Sequence, residues 1–316
     1  MDPFDDLLHG VRGEGSVFGA SVLSPPWALT FTGQASLTLC VPLRGEGWII
    51  RDGDARRLRE GEAAIVRGPE PFVFSDTEAP RRVTNAWHGD ITDARHGGDV
   101  SDARHGGDIT GDTVLLVGSY LVNGEVARRL VRILPSLIVL PEDADCAGMR
   151  AYLEAQLLAC RPGRQIVLDR LLDWLLVCTL RDWFDRPEAE APGWYAALGD
   201  DVVGPALRAI HDDPSRPWTI ASLAAVANVS RTTLAGRFTK LVGEPPLTYL
   251  TGWRMALAAD LLNEPGATVA SVAHRVGYAD AFSFSSAFKR IHGSSPNTYR
   301  QPGHEDREPL SGLSVK

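Results

Sequence analysis

Small and apolar positions recur at helical spacing through residues 219–300, and they do so twice, fifty residues apart. In the first copy they are Ile220, Leu223, Ala227, Val229, Leu234 and Phe238; in the second, Val269, Ala273, Val276, Phe284 and Phe288. Stripes of this period predict helices that pack by one face. Polar residues punctuate both copies. Thr219 and Ser230 each precede a short periodic run, as do Thr268 and Asp280. Their side-chain oxygens can accept from the free N–H groups of a first helical turn, which marks four helix starts. Asn228 and Gly277 fall between the paired runs, where a left-handed backbone is least strained for those two residue types. Two helix-turn-helix units follow, with second helices over residues 231–241 and 281–291.

The repeat continues as Gly243, Pro246 and Tyr249, matched by Gly293, Pro296 and Tyr299. Between the copies, residues 247–263 place Leu250, Trp253, Leu257 and Leu261 on one face, which predicts an amphipathic helix of roughly 25 Å. Second helices of such units lie in the DNA major groove, and successive grooves on one side of a duplex are about 34 Å apart. A helix of this length is a suitable strut for holding two of them in neighbouring grooves.

Trp218-Thr219, Leu223-Ala224, Val229-Ser230-Arg231, Arg237-Phe238, Gly243 to Pro246, Tyr249-Leu250 and Trp253-Arg254-Met255 carry a further likeness, continued by Val276-Gly277-Tyr278, Phe284, Phe288-Lys289-Arg290, Gly293 to Pro296 and Tyr299-Arg300. On these residues the chain resembles the AraC/XylS transcription regulators, whose C-terminal domain joins two helix-turn-helix units by a long helix. The resemblance implies a double-stranded promoter or operator DNA as partner. It implies base-facing positions at Thr232, Thr233, Ala235 and Gly236 in the first unit, and at Phe282, Ser283 and Ser286 in the second. Arginine stands in many relatives where this chain has Gly236 and Ser286, so two natural bidentate readers of guanine are missing. Thr, Ser and Phe contacts remain, including apolar contact with thymine methyls. Arg231, Arg237, Lys240, Lys289, Arg290 and Arg300 are expected to hold phosphates and set register.

Residues 1–120 carry a different pattern: short apolar runs at 36–41, 47–50, 63–66 and 71–74, separated by turn signals such as Asp52-Gly53 and Glu60-Gly61. Such runs predict a β-sandwich or barrel. The segment from Leu58 through Gly61-Glu62 to Val66 and Gly68 resembles half of a cupin motif, and Pro26-Trp27 resembles the cupin-type sensor of one AraC subgroup. Trp27, Trp48, Phe72, Phe74 and Trp87 are candidates to line a small-molecule effector pocket, or else ordinary core aromatics. No His-x-His occurs here and Pro71-Phe72 stands where many relatives have Pro-His, so neither metal nor cofactor is expected. Residues 89–111 hold an insertion in which a nine-residue unit is duplicated, placing His96 and His105 nine residues apart, with His88 just before it. It reads as an exposed, mobile loop.

From 149 to 185 apolar residues cover more than one helix face, which is economically explained by dimerisation. The organisation expected is therefore multidomain α+β. A cupin-like β-barrel sensor (1–120) is followed by a helical linker and dimerisation segment (121–195), an all-α double helix-turn-helix domain (196–302) and a disordered tail (303–316). Net charge is −8, yet residues 216–300 carry nine Lys/Arg against four Asp/Glu, leaving −13 for the remainder. Phosphate binding needs only such a local basic face. No run of eighteen apolar residues and no signal peptide occur, so a cytoplasmic, nucleoid-associated homodimer is expected, with no membrane partner. RNA polymerase would be a further partner if the protein activates. Two rivals stand beside this reading: a redox-responsive regulator using Cys146, Cys160 or Cys178, and a cupin metalloenzyme fused to a DNA-binding module.

Overall fold

The computed structural model describes residues 2–12, 19–32, 35–80, 85–87, 101–102, 113–141, 148, 152–153, 156, 162–189 and 191–300. The chain divides into two compact units, one built from residues 4–123 and 127–192 and the other mainly from residue 193 onward.

In the first unit, strands that are mostly buried along their length build two sheets. Their strands are β1 (Val11–Arg12), β2 (Gly19–Leu23), β3 (Ala28–Phe31), β4 (Leu37–Arg44), β5 (Gly47–Arg51) and β6 (Asp54–Leu58), then β7 (Ala63–Arg67), β8 (Phe72–Ser75), β9 (Asn85–Trp87), β10 (Ser101–Asp102), β11 (Thr113–Val122) and β12 (Leu137–Leu140). One sheet runs β10-β2-β11-β4-β7-β12, with β1 added to β11, and the other runs β6-β5-β8-β3-β9. Neighbours are antiparallel apart from β3 and β9. Strand β5 alternates: Gly47, Ile49 and Arg51 are buried while Trp48 and Ile50 are half-buried on the other face. Asp52 (φ 54°) and Gly53 (φ 87°) close the β5–β6 hairpin with positive φ at both turn residues, the geometry that Asp-Gly favours. Strand β6, Asp-Ala-Arg-Arg-Leu, has no apolar alternation to announce it; it is an edge strand, where charge blunts unwanted pairing.

The interior between the sheets is filled by Leu23, Trp27, Leu29, Phe31, Ile49, Leu58, Phe72, Phe74 and Leu115. Helices α1 (Pro3–His9), α2 (Glu125–Ile133) and α3 (Arg164–Phe184) complete the architecture. Helix α3 buries Leu168, Leu172, Leu175, Leu176, Leu180 and Phe184. The fully buried Tyr120 donates its hydroxyl to the Leu172 carbonyl at 2.8 Å, tying α3 to β11. Residues 127–192 thus group with the sheets, where the sequence pattern sets out a separate linker segment over 121–195. Within the duplicated insertion only Ser101 and Asp102 are described, paired with Val22 and Ser21. His88, His96, His105, Cys146, Cys160 and the tail 303–316 lie outside the described residues.

The second unit is helical: α4 (Gly193–Ala197), α5 (Val203–Asp212), α6 (Ile220–Val226), α7 (Arg231–Val242), α8 (Pro246–Leu261), α9 (Val269–Arg275), α10 (Ala281–His292) and α11 (Pro296–Tyr299). Helix α8 is more than an amphipathic strut. Tyr249 meets Phe238 of α7 at 5.8 Å, and Trp253 lies 4.2 Å from the His211 ring of α5. From its other side, Met255, Ala258 and Ala259 pack with Val272, Ala273, Val276, Phe284 and Phe288. The alanines let neighbours approach on both sides, so α8 is core to both halves.

Candidate nucleic-acid interface

Each helix-turn-helix is assembled from the residues that mark it in the sequence. Thr219 and Thr268 accept from the N–H groups of Ser222 and Ser271, and those serines return the bond to the capping residue's N–H, which makes two reciprocal capping boxes. Ser230 accepts from Thr233 N–H at the start of α7. Asp280 accepts from both Phe282 and Ser283 N–H at the start of α10. These bonds, led by the one from Ser283, hold the exposed Asp280 carboxyl below its usual range. Between the helices Asn228 (φ 52°) and Gly277 (φ 80°) make the left-handed turns. Gly243 and Gly293, also left-handed, end the two second helices at equivalent places.

Burial of Leu234 and Phe238, and of Phe284 and Phe288, fixes which faces of α7 and α10 look outward. On α7 the exposed positions include Arg231, Thr232, Thr233, Gly236, Arg237 and Lys240, with Ala235 half-buried. On α10 they include Phe282, Ser283, Ser286, Lys289 and Arg290. Hydroxyl capacity is partly spent: Thr233 pairs with Ser230, and Ser283 donates to the Asp280 carboxylate at 2.8 Å. A Cβ added at Gly236 would meet nothing within 4 Å, so this glycine is not imposed by packing and leaves a gap on the exposed face.

The expected cations separate into two groups. Arg231, Lys240, Lys289 and Arg290 are exposed and make no ion pair among the described residues. Arg237 is instead held by Asp200, Nε and Nη2 lying 2.9 and 2.7 Å from one carboxylate oxygen. Asp200 also accepts from Val202 and Val203 N–H at the start of α5. Burial raises its carboxyl, but these N–H groups and Arg237 together lower it further. Half-buried Arg300 donates to the Ala267 carbonyl.

Within the helical unit, Arg254 of α8 ties the loop before α6 to the second helix-turn-helix in a way that no local sequence signal announces. Its guanidinium donates to the carbonyls of Pro214 and Arg216, each at 2.7 Å, and lies over the Tyr278 ring at 5.9 Å. Burial pulls Arg254 below the usual arginine range. The loop it holds presses on the second turn: a Cβ at Gly277 would sit 2.2 Å from the Ser215 carbonyl oxygen. Asp200 was equally invisible, because a pair 37 residues apart leaves no periodic trace.

In the N-terminal unit three of the candidate pocket aromatics take part in the core between the sheets. Trp27 and Phe74 pack at 5.3 Å and Phe72 stacks on Phe31 at 4.5 Å, all inside the core. Trp48 is half-buried on the opposite strand face from Ile49. The side chain of Trp87 lies outside the described residues. A cavity of about 360 Å³ lies among Arg51, Asp52, Asp54, Arg56, residues 136–139 and Trp183. Cys40 is buried, which pushes its thiol up to about 12, and Cys178 is half-buried on α3. Among the described residues no three His, Cys, Asp or Glu side chains are grouped to hold a metal, and no helix is long and apolar enough to cross a membrane.

A cupin family model matches residues 2–185 and a helix-turn-helix domain model matches residues 223–302. A putative AraC-like transcription regulator of Streptomyces lividans is 35% identical over 309 residues, spanning 95% of this chain and 98% of that protein. The chain belongs to the AraC-type transcription regulators. The HTH-type transcriptional regulator AlkR of Acinetobacter baylyi is 29% identical over 316 residues, covering 95% of this chain and 99% of its own. The DNA-binding domain of AdpA, solved in complex with a target DNA, is 32% identical over 32% of this chain and 91% of that domain, with a TM-score of 0.30. This AraC-type chain is thus a DNA-binding transcription regulator with a cupin-like N-terminal domain. The thiol-based and metalloenzyme rivals gain no support from its relatives.

Proposed function

We propose that this regulator reads its operator with α7 and α10 in successive major grooves, Arg231, Lys240, Lys289 and Arg290 holding phosphates. The observation that carries the reading is the pair of capped helices whose exposed faces bear these cations without ion-pair partners among the described residues. Thr232, Gly236, Phe282 and Ser286 face the bases, with Thr233, Ala235 and Ser283 beside them. Arg237 and Arg300 take a positioning role, since each is already bound within the protein. Titration of affinity against salt tests the division: Arg231→Ala and Lys289→Ala each lower the slope of log K against log salt by about 1, while Arg300→Lys leaves it unchanged. Unchanged slopes in the first two would refute the phosphate assignment.

The regulator acts as a homodimer in this reading. Helix α3 exposes Ile166 (66%) and Trp174 (38%) opposite its buried leucine face, and a second copy covers them. Ile166→Lys with Trp174→Lys is expected to halve the sedimenting mass; an unchanged mass would place the dimer contact elsewhere.

The N-terminal unit senses a small effector and is not catalytic in this reading, which is supported by full-length relatives that are transcription regulators. Its described cavity presents Arg56, exposed and without an ion pair among the described residues, beside Leu137, Val139 and Trp183. In a thermal-shift screen of small organic acids, stabilisation of the full chain but not of Arg56→Ala is expected. An equal response in both would favour the aromatic set around Trp27 and Phe74. The protein works in the cytoplasm on this reading, where its DNA partner is found.

A further inference from the structure

Phe282 is 84% exposed, the most exposed of the large apolar side chains among the described residues. It occupies the first turn of α10, the part of a recognition helix that meets base edges. One and two helical turns further on, the same face carries Ser286 and then Lys289, both exposed. The polar groups around the ring are already committed. One Asp280 carboxylate oxygen accepts from Phe282 and Ser283 N–H at 2.9 and 2.8 Å, and the other accepts the Ser283 hydroxyl at 2.8 Å. The Ser285 hydroxyl donates to the Ala281 carbonyl at 2.7 Å. The turn is therefore rigid, and what it presents to a groove is a phenyl ring.

On the major-groove edges of the four base pairs, the one apolar group that distinguishes a base is the 5-methyl of thymine. We propose that Phe282 is a specificity-determining residue that reads a thymine 5-methyl group in the groove segment entered by α10. The inference rests on the DNA-binding assignment and deepens it: this half of the operator is marked by a methyl group instead of by guanine. A protein partner would also bury an exposed ring, but the cations Lys289 and Arg290 on the same helix suit a polyanion. Burial against a methyl group removes about one carbon's worth of apolar surface from water, which corresponds to about a fourfold change in affinity.

The test uses the full chain and a duplex selected by it from a random pool. Each thymine is replaced in turn by deoxyuridine, which deletes the methyl and keeps every hydrogen-bonding group. At one thymine in the α10 segment, the replacement is expected to weaken wild-type binding about fourfold. The same replacement leaves Phe282→Ala within about 1.5-fold, and Phe282→Leu, which keeps an apolar side chain, falls between. Equal losses in wild type and Phe282→Ala at every thymine overturn the proposal, as does an α10 segment that contains no required thymine. Failure to enrich any sequence is a different result, because it removes the DNA-binding assignment and this inference with it.

Discussion

Gly277→Ala lowers the stability of the helical unit by about 2–4 kcal/mol. Two effects add at this position. The residue has φ 80°, a left-handed backbone that a side chain makes costly. The new Cβ would also fall 2.2 Å from the Ser215 carbonyl oxygen and 2.8 Å from an Arg254 guanidinium nitrogen, so the loop 214–216 has to move off α8. Arg254 opposes that movement through its bonds to Pro214 and Arg216. Gly243→Ala supplies the control: its φ is 93°, but nothing lies within 4 Å of the added Cβ. Only the backbone term applies there, about 1–2 kcal/mol. Urea unfolding followed by far-ultraviolet circular dichroism distinguishes the two. Equal destabilisation would mean that the loop and the second turn are not pressed together as described.

Gly236→Arg gives the first recognition helix a guanine preference of about 5- to 150-fold at the base it faces. The position is exposed, on the outward face of α7, with open space around the added Cβ. A guanidinium there has room to extend, and a good bidentate contact to guanine is worth about 1–3 kcal/mol of discrimination. The helix itself becomes more stable by roughly 0.5–1 kcal/mol, because glycine in a helix interior loses the most backbone freedom on folding. Competition binding with single base-pair changes across the α7 segment measures the first effect and thermal melting the second. A more stable variant with unaltered base preference would show that residue 236 does not face the bases.

Much of the DNA-binding unit was legible because its signals are local. Thr219, Ser230, Thr268 and Asp280 cap helices through bonds to residues two or three positions on, and Asn228 and Gly277 express a backbone preference of their own. Local preferences are written into short windows of sequence. The features that join these pieces are not local. Arg254 reaches back some forty residues to the loop at 214–216, and Asp200 reaches Arg237, turning one expected phosphate contact into an internal tie. Helix α8 also buries more than its leucine face, because Met255, Ala258 and Ala259 pack with the second helix-turn-helix while Tyr249 and Trp253 pack with Phe238 of the first and His211 of α5.

In the N-terminal unit the strands with short apolar runs were legible and the polar edge strand β6 was not, since an edge has little apolar surface to bury. The aromatics were visible as residues, but their packing was not: whether Trp27 and Phe74 line a void or fill one depends on the separation of two sheets. Helix α3 shows the same limit. Its double-sided apolar character was readable, whereas the docking of one side through Tyr120 required the fold.

The central claim is that α7 and α10 are fixed as one body by α8 and Arg254 and read successive grooves. Hydroxyl-radical footprinting of the full chain on its selected operator tests this most directly. The account predicts two protected patches per copy on one face of the duplex, about 10–10.5 base pairs apart, with both lost together in Gly277→Ala. A single patch per copy, or a second patch that survives in that variant unchanged, would contradict it.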